Sequence, residues 1–286
     1  MNQLSPINQS IVDDYSFPIK MIPMEGRAEH DPSTNVPCPE RQMIIRTDTN
    51  QYLGNHSMSY RVVKHDAVID PLQEVLDKLN INYTPQIRTY DNGAMMVAKF
   101  TSNDLTIKDP QVNDRIAFQV TCRNSYNGVW SIMIHAYGLR LVCLNGMTKP
   151  DSIANYRIKH NGHFKYNFDH MERCIDLFLS DEQRYSDWYT TPVTQQDADS
   201  MFKKLTYSAR PTIDGKYRNE TQYNALQVLW NRYQIDIGKN KWSLFNAVTD
   251  WISNPQNVSN TEKTIVERNN KFISYMNNIE YNMFIN

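Results

Sequence analysis

Between Arg140 and Arg173 the chain sets Arg140, Lys149, Arg157, Lys159, Lys165 and Arg173 among Tyr156, His160, His163, Phe164, Tyr166 and Phe168, and only Asp151, Asp169 and Glu172 oppose them. Cations neutralise backbone phosphates and flat rings stack on unpaired bases, so this mixture suits single-stranded nucleic acid. The residues expected to make those contacts are Arg140, Lys149, Tyr156, Arg157, Lys159, His160, His163, Lys165, Tyr166 and Arg173. The same stretch also reads as a β-ribbon, YRIKH followed by HFKYNF, whose Lys and Tyr side chains cover a half-buried sheet face. Both readings stand at this level.

No other constellation assembles a catalytic or metal site. His160 and His163 lie in the string HNGH, with Gly162 between them and Asp169 as the one carboxylate nearby. Nothing matches the helical HExxH pattern, so contact with solvent or phosphate is expected rather than a metal. The cysteines Cys38, Cys122, Cys143 and Cys174 contain no CxxC pair and read as buried, reduced thiols. There is no GxSxG elbow, Walker loop or GxGxxG fingerprint, and the nine glycines are too scattered to cradle a phosphate. The pairs Asp13-Asp14, Asp181-Glu182 and Asp197 with Asp199 fall in loops or helix starts, where acids suit the helix dipole. The expectation is a protein without catalytic residues, metal or cofactor. An enzyme acting on nucleic acid through a dispersed site stays open, because distant segments can converge in the fold.

The 286 residues carry 30 Lys+Arg against 31 Asp+Glu, a formal net charge of -1. No whole-chain field draws such a protein to DNA or to a membrane, and a polyanion site must be a local patch. The opening MNQLSPINQSIVDDYSF lacks the basic and apolar regions of a signal peptide, and no apolar run approaches the roughly 18 residues of a membrane span. Cytoplasm is the expected location, with no membrane partner.

The elements that must position these residues form an α+β chain. Residues 1–40, rich in Pro, Asn, Ser and acids and without periodicity, read as an extended or partly ordered arm able to pack on a neighbour. Residues 41–180 read as an α+β core domain. In it MIIRTD is a strand, Gly54 marks a turn before a further strand, and DAVIDPLQEVLDKLN is a helix capped by Asp66. Asn92-Gly93 and Asn127-Gly128 then close hairpins of an antiparallel meander, since Asn-Gly suits type I′ turns. Along its clearest strand Ile116, Phe118, Val120 and Cys122 point one way and Ala117, Gln119, Thr121 and Arg123 the other, giving a buried and a mixed face. The sheet is expected to end at Asn145-Gly146. Helices follow, first around HMERCIDLFLSDEQRYSDWY with Met171, Cys174, Ile175, Phe178 and Leu179 inward, and then across a helical C-terminal region, 181–286, packed on the core. Those later helices are expected near 194–207, 220–233, 241–253 and 261–280, with Thr194, Ser243 and Thr261 among the capping candidates.

Five strings carry a likeness to a known family: IIRTDTNQYLGNHSMSYRVV, NSYNG, LRLVCLNGM, RIKH and KWSLFNAVTDWI, in that order from about residue 43 to 253. Together they resemble the phage and plasmid-like family catalogued as domain of unknown function 932. LRLVCLNGM is the most specific, because the family shows an Arg-Val-Val-Cys run followed by Asn and a small or hydroxyl residue, here Gly146. NSYNG has Asn127 where the family has an Asp-Gly turn, and Asn suits the same positive φ. The resemblance implies a phage-, plasmid- or prophage-encoded protein in a bacterial host and names no activity. The element order is also similar to the core of single-strand annealing recombinases, a fold-level analogy.

These readings converge on a non-catalytic protein that binds or anneals single-stranded DNA in recombination or replication as a homo-oligomer. The competing expectation is a structural or host-interaction protein that binds a host protein through its C-terminal helices, which carry Trp188, Tyr189, Trp230, Tyr233, Trp242 and Trp251.

Overall fold

The computed structural model describes residues 10–31, 33–110, 115–140, 145–147, 156–158, 168–207, 219–278 and 283–284. The chain is α+β. It divides into two compact units, one made of Met1–Asp104, Gln119–Ala136 and Ala154–Glu172, the other of Leu105–Phe118, Tyr137–Ile153 and Arg173–Asn286.

Two sheets are present among the described residues. Strands β1 (Ile11–Val12), β5 (Tyr83–Tyr90), β6 (Met95–Lys108), β7 (Arg115–Ser125), β8 (Ile132–Arg140) and β10 (Tyr156–Ile158) lie in the order β1-β5-β6-β7-β8-β10, and β9 (Asn145–Met147) also pairs with β8. Strands β5 to β8 are the meander that the Asn-Gly dipeptides predict. A parallel pairing of β1 with β5 makes the sheet mixed. The second sheet orders β2 (Ile19–Arg27), β3 (Asn35–Arg46) and β4 (Gln51–Ser57) as β2-β3-β4.

Several local expectations need correction. The described part of the N-terminal lead-in contains β1, β2 and the first half of β3. Aperiodic sequence hid them because the described residues from 23 to 37 are exposed on both faces save for a few half-buried positions, and alternation appears only where one face is buried. Gly54 lies inside β4, opposite Ile44, and the turn is at 47–50. A Cβ on Gly54 would stand 2.3 Å from the Tyr126 carbonyl oxygen, so the glycine serves a close backbone approach. The pairing jumps from Ile44–Gly54 to Ile45–Tyr52, and the extra residue, Leu53, turns into the core.

In the first hairpin Tyr90 pairs with Met95, leaving a four-residue loop rather than a two-residue turn. Asp91, Asn92 and Gly93 all have positive φ there. In the second, Gly128 has positive φ but Asn127 is not among the residues that do. Asn127 instead acts through its side chain, accepting from Val129 N at 3.1 Å and donating to Asp91 at 3.2 Å.

The first unit is organised around Phe17, Ile44, Leu53, Ala94 and Tyr126. Helix α1 (Asp66–Lys78) buries Val68, Ile69, Leu72, Val75 and Leu76, and its N-cap is His65 rather than Asp66. Asp13 ties the N-terminal residues to β5, accepting from Thr89 N at 2.9 Å. Asp14 reaches Arg46 at 2.5 Å, and the Arg46 guanidinium lies over the Phe17 ring at 3.9 Å.

The second unit holds α2 (Phe168–Thr190) from Arg173 onward, then α3 (Gln195–Thr206), α4 (Glu220–Ile237), α5 (Lys241–Ser253) and α6 (Thr261–Met276). Leu179 of α2 is 46% exposed, off the buried face expected for it, while Phe178 meets Phe118 at 5.4 Å. Every residue of α5 from Trp242 to Ile252 is buried, so this helix is enclosed all round. Its caps and those of α6 are Asn240 and Asn260, upstream of the hydroxyl residues expected, whereas Thr194 caps α3 with a reciprocal capping box to Asp197. No described helix is long and apolar enough to cross a membrane.

Candidate functional site

The sheet continues beyond Gly146. β9 pairs Asn145 with Arg140, and β10 adds to β8 with Tyr156 opposite Ile134, Arg157 opposite Met133 and Ile158 opposite Ile132. Helical periodicity downstream drew the expected boundary too early, since three-residue strands leave almost no period to detect. Of the residues expected to meet nucleic acid, Tyr156 and Arg157 are thus brought together on a short strand that ends the sheet order. Arg140 closes β8, and Arg173 is exposed on α2. Lys149, Lys159, His160, His163, Lys165 and Tyr166 lie outside the described residues. Phe168, the last residue of HFKYNF, begins a helix, and the rest of that expected ribbon arm, 163–167, lies outside the described residues.

Beside β10 the sheet carries a polar layer that is buried rather than mixed. Gln119, Thr121, Arg123, Thr101 and His135 are each at most 6% exposed. Gln119 donates to the Thr101 hydroxyl at 2.6 Å, which sets the odd-numbered face of β7 beside that of β6. Sequence alternation separated the faces correctly but not their burial, which depends on what covers the strand. Burial pushes the Cys122 thiol up to about 12 and the Cys174 thiol to about 11, so neither is a thiolate nucleophile at neutral pH.

The motif strings near residue 50 and NSYNG meet around His65. Its Nε2 donates to the Gly93 carbonyl at 2.9 Å, because a carbonyl only accepts, and its Nδ1 therefore accepts from the Asn124 amide at 3.0 Å. The same amide donates to Val63 O at 2.9 Å, fixing its orientation. Tyr126 donates no bond to the ring but stacks on it at 4.1 Å and accepts from His65 N at 3.0 Å, while Phe17 meets it edge-on at 6.0 Å. His56 donates through Nε2 to Tyr126 O at 2.6 Å and stacks on Tyr60 at 3.8 Å. Burial raises the phenols of Tyr60 and Tyr126. Both nitrogens of His65 are thereby engaged in a neutral ring, which positions the strands around it and presents no lone pair to a metal or substrate. No group of three or more His, Cys, Asp or Glu side chains able to hold a metal occurs among the described residues. Sequence reasoning missed His65, whose signal was its place just before a helix, two residues past the end of a motif string.

The family model described as "Domain of unknown function (DUF932)" matches residues 52–273. The chain belongs to the DUF932 family. Its match takes in nearly all of β4, His65 with Asn124 and Tyr126, strands β5 to β10 and all but the end of the helical region. No curated protein and no solved structure matches the chain.

Proposed function

We propose that this DUF932 chain is a non-catalytic protein that binds or anneals single-stranded nucleic acid, of phage or plasmid type, acting as a homo-oligomer in recombination or replication in the bacterial cytoplasm. The observation that supports the reading is the concentration of six Lys and Arg against three acids between Arg140 and Arg173, in a chain whose net charge is -1. Rings interleave with those cations, the combination that grips phosphates while stacking bases in any sequence. Tyr156 and Arg157 enter the sheet at its last strand, where a cation also discourages unwanted strand addition. A gel shift with single- and double-stranded oligonucleotides at two salt concentrations tests it. Retention of the single strand at low salt that weakens at high salt is expected, and equal absence of binding to both ends the proposal.

A second reading, docking of a host protein on the C-terminal helices, is favoured by α4, where Val228 and Ile235 are 68% and 85% exposed. Seven residues apart, they lie on one helix face. A photo-crosslinking residue at Ile235 should then give a single heavier adduct in cells, and none if the face is only solvated.

A further inference from the structure

Strands β2 and β3 run past the end of β4. The last β3–β4 pair is Arg41 with Ser57, whereas β2 and β3 stay paired from Met24–Cys38 through Gly26–Val36 to Arg27–Asn35. Beyond Glu40, whose carbonyl still accepts from Met58 N at 3.2 Å, the two strands form a bare ribbon. Cross-strand partners share a face and successive pairs alternate. One face carries Met24, Cys38, Gly26 and Val36, and the other Glu25, Pro37, Arg27 and Asn35. The first is apolar, with Val36 48% exposed. A Cβ on Gly26 would meet only the Val36 carbonyl oxygen, at 3.8 Å, so nothing else stands close to that face there. An isolated two-stranded ribbon is marginal in water, and covering its apolar side is what would hold it. Pro37 and Pro39 remove N–H donors from β3 beyond the end of β4, which discourages addition of a further strand there and leaves the face as the docking surface.

Charge indicates the occupant. At the tip Glu29 and Asp31 are exposed; at the base Lys20, Arg41, Arg61 and Lys64 are exposed with Glu40 beside Arg41, and none of these seven forms an ion pair among the described residues. From Asn35 to Arg41 the strand advances about 20 Å at roughly 3.3 Å per residue. That exceeds the screening length of about 8 Å in physiological salt, so the tip and base of one chain do not neutralise each other. A second copy turned end for end sets each acidic tip against the other's basic base, the self-complementarity a two-fold interface requires.

We propose that the β2–β3 ribbon is a dimerisation arm, its apolar face covered by a second copy of this chain and its acidic tip held by that copy's Lys20, Arg41, Arg61 and Lys64. It deepens the homo-oligomer part of the proposed function, and mass measurement reads it separately from oligonucleotide binding. Sedimentation velocity of the full chain should give twice the 33.5 kDa chain mass at micromolar concentration, weakening as salt rises. Met24→Glu with Val36→Glu should weaken the dimer more than about tenfold while far-UV circular dichroism stays unchanged. Glu29→Lys with Asp31→Lys should also weaken it, and adding Arg41→Glu and Arg61→Glu should restore it. A monomeric wild type, a dimer indifferent to the apolar pair, or charge reversal without rescue would overturn the assignment.

Discussion

Replacing Gly54 by alanine tests the motif contact in the first unit. The new Cβ would lie 2.3 Å from the Tyr126 carbonyl oxygen, 2.8 Å from Asn127 Cα and 2.9 Å from the Tyr126 carbonyl carbon. All three are backbone atoms, so no flexible side chain can swing aside, and β4 must move from the 126–128 loop by roughly 1 Å to reach ordinary contact. That shift stretches the 2.6 Å bond from His56 to Tyr126 O and loosens Leu53 and Tyr126 in the core. Overpacking costs about 1–3 kcal/mol and a weakened hydrogen bond about 0.5–1.5 kcal/mol, so a loss of about 2–4 kcal/mol is expected. At about 2–4 °C per kcal/mol for a chain of this size, the melting temperature should fall by about 5–15 °C. Gly26→Ala, measured at a concentration low enough to leave the chain monomeric, is the control: it meets only one atom at 3.8 Å and should stay within about 0.5 kcal/mol of wild type. Thermal denaturation followed by circular dichroism reads both. If Gly54→Ala melts with the wild type, the close approach is not what the glycine serves.

Two further outcomes follow from the same geometry. At a concentration low enough to leave the chain monomeric, a maleimide should label the half-buried Cys38 well before the buried Cys122 and Cys174, as read by peptide mass mapping; comparable rates at all three would contradict the packing of β7 and α2. Arg46 grips Asp48 with two bonds, Nε at 2.9 Å and Nη2 at 3.0 Å, and holds its carboxyl below the ordinary aspartate range. A lowered folded-state pKa means that this contribution is present above the unfolded value and lost as pH falls through the folded one. Asp48→Asn should therefore remove stability at neutral pH and flatten the acid limb of a denaturation curve, and an acid limb of unchanged steepness would show that the pair is inert.

Strong local signals carried the sequence reading well. Asn92-Gly93, the alternation from Ile116 to Cys122 and the apolar spacing of the C-terminal helices led to the meander and to helices close to their observed bounds, because each is a short-range property of the chain. Elements whose cause lies elsewhere were not legible. Gly54 looks like a turn residue until Tyr126, distant in sequence, is placed against it. Gln119, Thr121 and Arg123 look half-exposed until the strand is seen to be buried throughout its length after Arg115. Asn240 and Asn260 were passed over as caps in an Asn-rich chain where hydroxyl residues stood nearby. Of the candidate site, the sequence picture of a cationic, ring-bearing stretch meets the described structure at Arg140, Tyr156, Arg157 and Arg173. His65 and its ring of partners needed three segments to converge.

The most direct test of the nucleic-acid proposal is a salt titration of binding to a fluorescent single-stranded oligonucleotide, comparing the wild-type chain with Arg157→Glu plus Lys159→Glu. Each phosphate contact on a single strand adds about 0.7 to the slope of log affinity against log salt, so losing two should flatten it by about 1.4 and weaken binding at low salt. An unchanged slope and affinity in the double variant, or a wild type that binds nothing at low salt, would contradict the account.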